Sequence, residues 1–207
     1  MSRLFEKRSE KSAVDAAPPA PITPEFSNEQ RHTLLSIAHE GIISSVEGRK
    51  LSDMPPSMPG LAEPRGVFTT LSLRGQLRGC VGYATPVSPL YRAVAETAQA
   101  AAFEDSRFSP VTNEEARELE ISLSVLSPLF PIQPEAVDVG RHGLVISLGI
   151  RRGLLLPQVP TEHGWNRKMF LEQTCHKAGL PHDAWRKGAV IEAFVAEVFS
   201  DADVELP

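Results

Sequence analysis

An order of elements that occurs twice constrains this chain more than any other feature. Gly66 to Leu73 is rich in β-branched and aromatic residues, Arg74-Gly75 supplies a turn, and Gln76 to Gly82 reads as the returning strand. Ser88 as N-cap and Pro89 at the first helical position then open an alanine-rich helix with Leu90, Val94, Ala98 and Ala101 or Ala102 inward. Thr112 with Glu115 forms a capping box for a short helix, and Leu119, Ile121, Leu123 and Val125 alternate with polar residues as a half-buried strand does. The second half repeats this. Gly143 to Ile150 reads as a strand, Arg152-Gly153 as its turn and Leu154 to Leu156 as the return; a helix from Asn166 to Ala178 ends at Gly179. Pro181 to Trp185 is a short helix or turn, and Ala189 to Phe199 the last strand. Such a chain is expected to be α+β: a mostly antiparallel sheet built from two related hairpin-helix-strand halves, flanked by helices, with a cleft between lobes. The two hairpins would lie in one sheet or in two that share the cleft. Aligning the two Arg-Gly turns sets Arg78-Gly79-Cys80 against Leu156-Pro157-Gln158.

Around this core the chain is simple. Ser27 with Gln30 predicts a capped helix from Asn28 to Glu47, with Leu35, Ala38, Ile42 and Val46 on one face and Gly48 as its stop. Pro55, Pro56, Pro59 and Pro64 mark residues 48–65 as a loop. Residues 1–24 hold four prolines and little apolar surface and are expected to be a flexible tail, leaving 25–200 as one domain and 201–207 as a C-terminal tail. With 42% hydrophobic residues over 207, the domain can bury a core without disulfides or metal. A net charge of −5 argues against broad binding to nucleic acid or an anionic membrane. The first residues carry no apolar run of signal or membrane length, and the only cysteines are Cys80 and Cys175. A cytoplasmic protein without cofactor or metal is expected.

Chemistry concentrates at Leu77-Arg78-Gly79-Cys80-Val81-Gly82. Gly79 and Gly82 permit close backbone approach, and Arg78 sets a permanent cation near a thiol, where it would favour the thiolate. In a regular strand Arg78 and Cys80 project to the same face, which suits thiol chemistry; a bulge would part them, which suits a docking segment. The plain alternative is a packed cysteine and a surface ion pair. Asp105 and Arg107, after the alanine-rich helix, could orient Arg78, bind an anion or simply pair with each other. Gln158 and Glu162 stand, by the repeat alignment, where they could face Cys80 across the cleft, and His142 or His163 could serve it as a base. Trp165, Phe170 and Trp185 read as core.

The Arg78 segment, together with Asp105-Ser106-Arg107-Phe108, Leu155-Leu156-Pro157-Gln158-Val159 and Cys175-His176-Lys177-Ala178-Gly179-Leu180, resembles the AMMECR domain family, whose bacterial and archaeal members are called AmmeMemoRadiSam system protein A. The resemblance runs from about Phe26 to Phe199, with serine at position 106 where the family usually has proline. It implies an α+β fold with the Arg78 to Gly82 segment exposed in a cleft. It also implies association with a Memo-like protein and a radical S-adenosylmethionine enzyme. Two cysteines cannot make the three-cysteine cluster motif of radical chemistry, so this chain would be a partner of such an enzyme. Two functions follow: an accessory or partner-binding module that docks through the exposed segment, or a small enzyme in which Cys80 is the nucleophile and Arg78 binds an anionic substrate. Arg78, Gly79, Gly82, Asp105, Arg107, Gln158 and Glu162 are the expected binding residues.

Overall fold

The computed structural model describes residues 24–50 and 57–204, so the expected N-terminal tail, apart from Pro24, lies outside the described residues. Helix α1 (Asn28–Val46) begins as the sequence predicts: the Gln30 amide donates to Ser27 Oγ at 3.3 Å, and the Ser27 amide donates to Gln30 Oε1 at 2.8 Å. The first hairpin consists of β1 (Val67–Leu73) and β2 (Gln76–Tyr83), turning at Arg74-Gly75 with both residues at positive φ. Helix α2 (Leu90–Phe103), the single turn α3 (Asn113–Ala116) and β3 (Leu119–Leu126) complete the first half. The two-residue strand β4 (Phe130–Pro131) leads into the second half, with β5 (Gly143–Leu148), β6 (Arg151–Leu155), α4 (Gln158–Glu162), α5 (Arg167–Lys177), a 3-10 turn at Ala184–Arg186, β7 (Val190–Phe194) and β8 (Ala196–Ser200).

The strands form two four-stranded antiparallel sheets, ordered β2-β1-β3-β8 and β6-β5-β7-β4. Each half supplies the first three strands of one sheet in the same order, then sends its next strand to the other sheet. The single strand expected over Ala189 to Phe199 is therefore two, broken at Val195 where the chain crosses over. That crossing is pinned reciprocally. The Ser127 amide donates to the Val195 carbonyl at 2.9 Å, and the Val195 amide donates to Ser127 Oγ at 3.1 Å.

Three other expectations change. The second hairpin turns at Gly149-Ile150, with Gly149 at φ +60°, and Arg152-Gly153 lies within β6. Pro89 caps α2 from an extended conformation held by a bridge to Pro64, so the helix starts at Leu90. The segment from Asp201, read as a tail, opens with a 3-10 turn (Asp201–Asp203) and buries Val204 in the first core.

Two cores lie on the helix-covered faces, one around Leu34, Ile42, Leu71, Leu90 and Phe199, the other around Leu144, Ile146, Phe170 and Ile191. A third cluster joins the lobes: Leu126, Val145 and Phe194, with Phe68, Leu154 and Leu156 packed against them. Both phenylalanines lie over glycines. A Cβ on Gly82 would sit 2.2 Å from the Phe68 ring, and one on Gly143 would sit 2.1 Å from the Phe194 ring.

Each helix is seated on its hairpin by a glycine. A Cβ at Gly79 would stand 2.1 Å from the Ala101 carbonyl oxygen near the end of α2, and one at Gly153 would stand 2.3 Å from the Ala178 amide at the end of α5. Gly79 pairs with Leu71 and Gly153 with Ile146, each the third residue back from the end of its strand. The structural equivalent of Gly79 is thus Gly153, in place of the Leu156-Pro157-Gln158 alignment. Substituting either glycine with alanine is expected to lower stability by about 1–3 kcal/mol through overpacking. An unchanged melting temperature in Gly79→Ala would show that the helix does not rest on the strand in this way.

Candidate functional site

Strand β2 is the edge of its sheet, and the Arg78 segment lies along that edge. Its register slips once: Leu71 pairs with Gly79 but Ser72 with Leu77, so Arg78 is the extra residue of a β-bulge. The bulge separates the two groups expected to act together. The Arg78 side chain turns to α3, where Nε donates to Glu115 Oε1 at 3.2 Å, Nη2 to Glu115 Oε2 at 3.0 Å and to the Pro110 carbonyl at 3.3 Å. Glu115 also closes the capping box with Thr112, and the Arg78 guanidinium beside it lowers its pKa. Only 11% of the Arg78 side chain is exposed. Its charge is committed to holding α3 against β2.

Cys80 is half-buried, and the bulge brings it opposite Thr70, whose hydroxyl donates to the sulfur at 3.4 Å. Its peptide group is held by the segment after α2. The Cys80 amide donates to Asp105 Oδ2 at 2.9 Å, and Arg107 Nη2 approaches the Cys80 carbonyl at 3.5 Å. Arg107 grips the same carboxylate through Nη2 at 2.7 Å and Nε at 2.9 Å, while its own amide donates to Oδ1 at 3.2 Å. The Asp105 side chain is 7% exposed and Arg107 55%, so the carboxylate is interior to the clamp and the guanidinium covers it. These donors, Arg107 first and the Cys80 amide second, hold the Asp105 carboxyl far below the usual carboxylate range. In turn Asp105 raises the pKa of Arg107. The pair presents an acceptor and a donor to one residue of an edge strand, as a neighbouring strand would.

The remaining expected residues lie apart from this group. Gly79 is buried under α2, and Gly82 is half-buried with the Phe68 ring packed over it. Gln158 and Glu162 are exposed on α4, and no hydrogen bond or ion pair joins them to Arg78, Cys80, Asp105 or Arg107. Neither histidine acts on Cys80: His142 Nδ1 accepts from the Asp138 amide at 3.0 Å, and His163 stacks on Trp165 with centroids 4.8 Å apart. Cys175 is buried, and burial raises its pKa. Thr70 was not anticipated, because only the bulge places it beside Cys80. Among the described residues no group of His, Cys, Asp or Glu could hold a metal ion, and no helix is long and apolar enough to cross a membrane.

The AMMECR1 family model matches residues 35–199, a span containing the bulged edge, the Asp105–Arg107 clamp and both hairpins. The chain belongs to the AMMECR1 family. A protein of Methanothermobacter thermautotrophicus is 41% identical over 185 residues, covering 85% of this chain and 96% of that one. A protein of Methanopyrus kandleri is 40% identical, covering 86% and 92%. The crystal structure of an uncharacterized protein from Pyrococcus horikoshii is similar with a TM-score of 0.66 and 38% identity, covering 84% of this chain and 92% of that one.

The clamp has a pH signature. A depressed carboxylate pKa contributes stability fully above its unfolded value, near pH 4, and loses it as pH falls through the folded value. The stability difference between wild type and Asp105→Ala is therefore expected to be constant from about pH 5 to 8 and to narrow below about pH 4. Hydrogen exchange at the Cys80 amide should quicken in Asp105→Ala. Unchanged exchange there would show that the carboxylate does not hold the strand edge.

Proposed function

We propose that this protein is a non-catalytic accessory module of the cytoplasm that acts with a Memo-like protein and a radical S-adenosylmethionine enzyme, and that it docks through the Arg78 to Gly82 edge. One observation carries this reading: the charged residues of the segment hold its shape. Arg78 is spent on Glu115, and Asp105 with Arg107 is spent on the Cys80 peptide group. A nucleophilic thiol needs a base within hydrogen-bond reach. The hydrogen bond to the Cys80 sulfur comes from Thr70, a donor in this contact. An edge whose backbone is rigidly presented by side-chain clamps suits recognition by another protein. The named partners come from the family resemblance.

A second reading keeps Cys80 as a nucleophile, and its support is the Arg107 guanidinium, which approaches the Cys80 carbonyl at 3.5 Å and is more than half exposed to an incoming anion. In that scheme Arg107 replaces Arg78 as the cation that receives an anionic substrate next to Cys80.

The two readings separate on one pair of variants, tested for binding to the Memo-like and radical-enzyme proteins of the same organism. Docking through the edge predicts that Cys80→Ser binds within about twofold of wild type, while Asp105→Ala, with the clamp gone, loses about tenfold or more. Asp105→Asn, which keeps the shape but not the charge, should fall between them. Loss of cellular function in a fully folded, fully binding Cys80→Ser would overturn docking in favour of thiol chemistry.

A further inference from the structure

Because Gly79 and Gly153 are equivalent, the residues before them, Arg78 and Arg152, are equivalent too. Their surroundings differ. Arg78 is bulged out of β2 and pairs with Glu115, whereas Arg152 keeps the regular register of β6, opposite Ser147. Alternation along the strand then sets Arg152 on the face that carries Leu154 and Val145, which is the face packed against the first lobe. There it lines a cavity of about 280 Å³ between the lobes, with Leu126, Leu129, Phe194 and three prolines as apolar walls. Among the described residues no carboxylate lines this cavity, and Arg152 has no hydrogen-bond or ion-pair partner. The other cation of the cavity is committed. Arg65, with 9% of its side chain exposed, pairs with Glu25 and Glu63 and donates to the Leu126 carbonyl at 3.4 Å. Thr85, on the first-lobe wall, has no side-chain partner among the described residues.

We propose that this cavity is a binding site for a small organic acid, a monocarboxylate with a compact apolar body. The apolar walls take the body, the guanidinium fork of Arg152 takes the carboxylate, and Thr85 offers a hydroxyl from the opposite lobe. Charge and volume select this class. One uncommitted guanidinium balances one negative charge, so a phosphomonoester would bring a second charge with no cation left to meet it. A neutral apolar molecule would strip water from Arg152 and return no hydrogen bond. The volume falls just short of the about 300 Å³ at which small-molecule sites begin, which excludes a nucleotide. The cavity shares no residue with the Arg78 to Gly82 edge, and the proposal does not rest on docking there.

The test titrates the full chain with 3-phenylpropionate, 4-methylpentanoate and benzoate while backbone amides are followed by NMR. The expected result is that at least one of the three acids gives saturable shifts at Thr85, Leu129 and Arg152. Its binding should weaken about tenfold or more in Arg152→Gln, and by a similar factor when the acid is replaced by the corresponding alcohol. Arg152 is exposed and unpaired, so this variant should keep the wild-type melting temperature. Leu129→Trp, which crowds the cavity wall from a position 37% exposed, should abolish binding in a folded protein and gives a second check. Binding should survive Asp105→Ala, which reports on the β2 edge. No saturable shift from any of the three acids at about 10 mM, equal binding of acid and alcohol, or tighter binding of phenyl phosphate would each overturn the proposal. So would binding indifferent to Arg152→Gln.

Discussion

Helix α2 lies so close to strand β2 that a single methyl group at position 79 would meet the Ala101 carbonyl at 2.1 Å, and the rest of the site depends on that approach. With the helix seated there, the chain leaves its last turn at Glu104 directly beside the sheet edge. Asp105 then falls within 2.9 Å of the Cys80 amide. A bulkier residue at 79 would lift the helix end and carry the carboxylate away from its donor. The glycine thus serves geometry two steps removed from itself. Its absent side chain sets a helix-to-strand distance, and that distance sets a hydrogen bond.

The same device occurs in the second lobe, where Gly153 admits the end of α5, but the outcome differs because the following residues differ. After α5 comes Gly179 at positive φ, whose carbonyl accepts from Arg151, and among the described residues no carboxylate hydrogen-bonds to β6. The two halves share a fold plan, including the reciprocal exchange of a strand at Ser127 and Val195, and have diverged in what stands at the helix end. The first lobe carries a clamp on its edge strand; the second leaves Arg152 without a carboxylate partner among the described residues.

The sequence made some of this legible and hid the rest for physical reasons. Both capping boxes, Ser27 with Gln30 and Thr112 with Glu115, are local hydrogen-bond patterns, and they form as the residues predict. The doubled element order survives in the sheet order because hydrophobic periodicity reports burial directly. Arg152-Gly153 reads as the second turn because it looks like Arg74-Gly75, yet Gly153 is kept small by helix packing and Gly149 by backbone dihedral. A glycine in a sequence does not say which of these it serves. The strand exchange leaves no local trace, since Ala189 to Phe199 reads as one run of strand-forming residues. The bulge at Arg78 is hidden for the same reason: it comes from reconciling the hairpin turn with the seat of α2, a long-range demand.

That bulge also decides how the charges of the site are read. In a regular strand Arg78 and Cys80 would share a face, and proximity alone would suggest an activated thiol. With Arg78 as the bulged residue, its guanidinium goes to Glu115 and the thiol goes to Thr70, while Asp105 and Arg107 close over the backbone between them. Alternate residues of an edge strand turn their peptide groups outward. At Cys80 those groups meet the clamp. Two residues on, at Gly82, the outward groups have no side-chain partner among the described residues, and the absent side chain leaves space that Phe68 fills from the adjoining strand. An edge held by side-chain clamps at one of its outward-facing residues is blunted there against uncontrolled strand pairing. The segment's glycines, cation and thiol are thus accounted for by the shape of an edge before any bond-making chemistry is invoked.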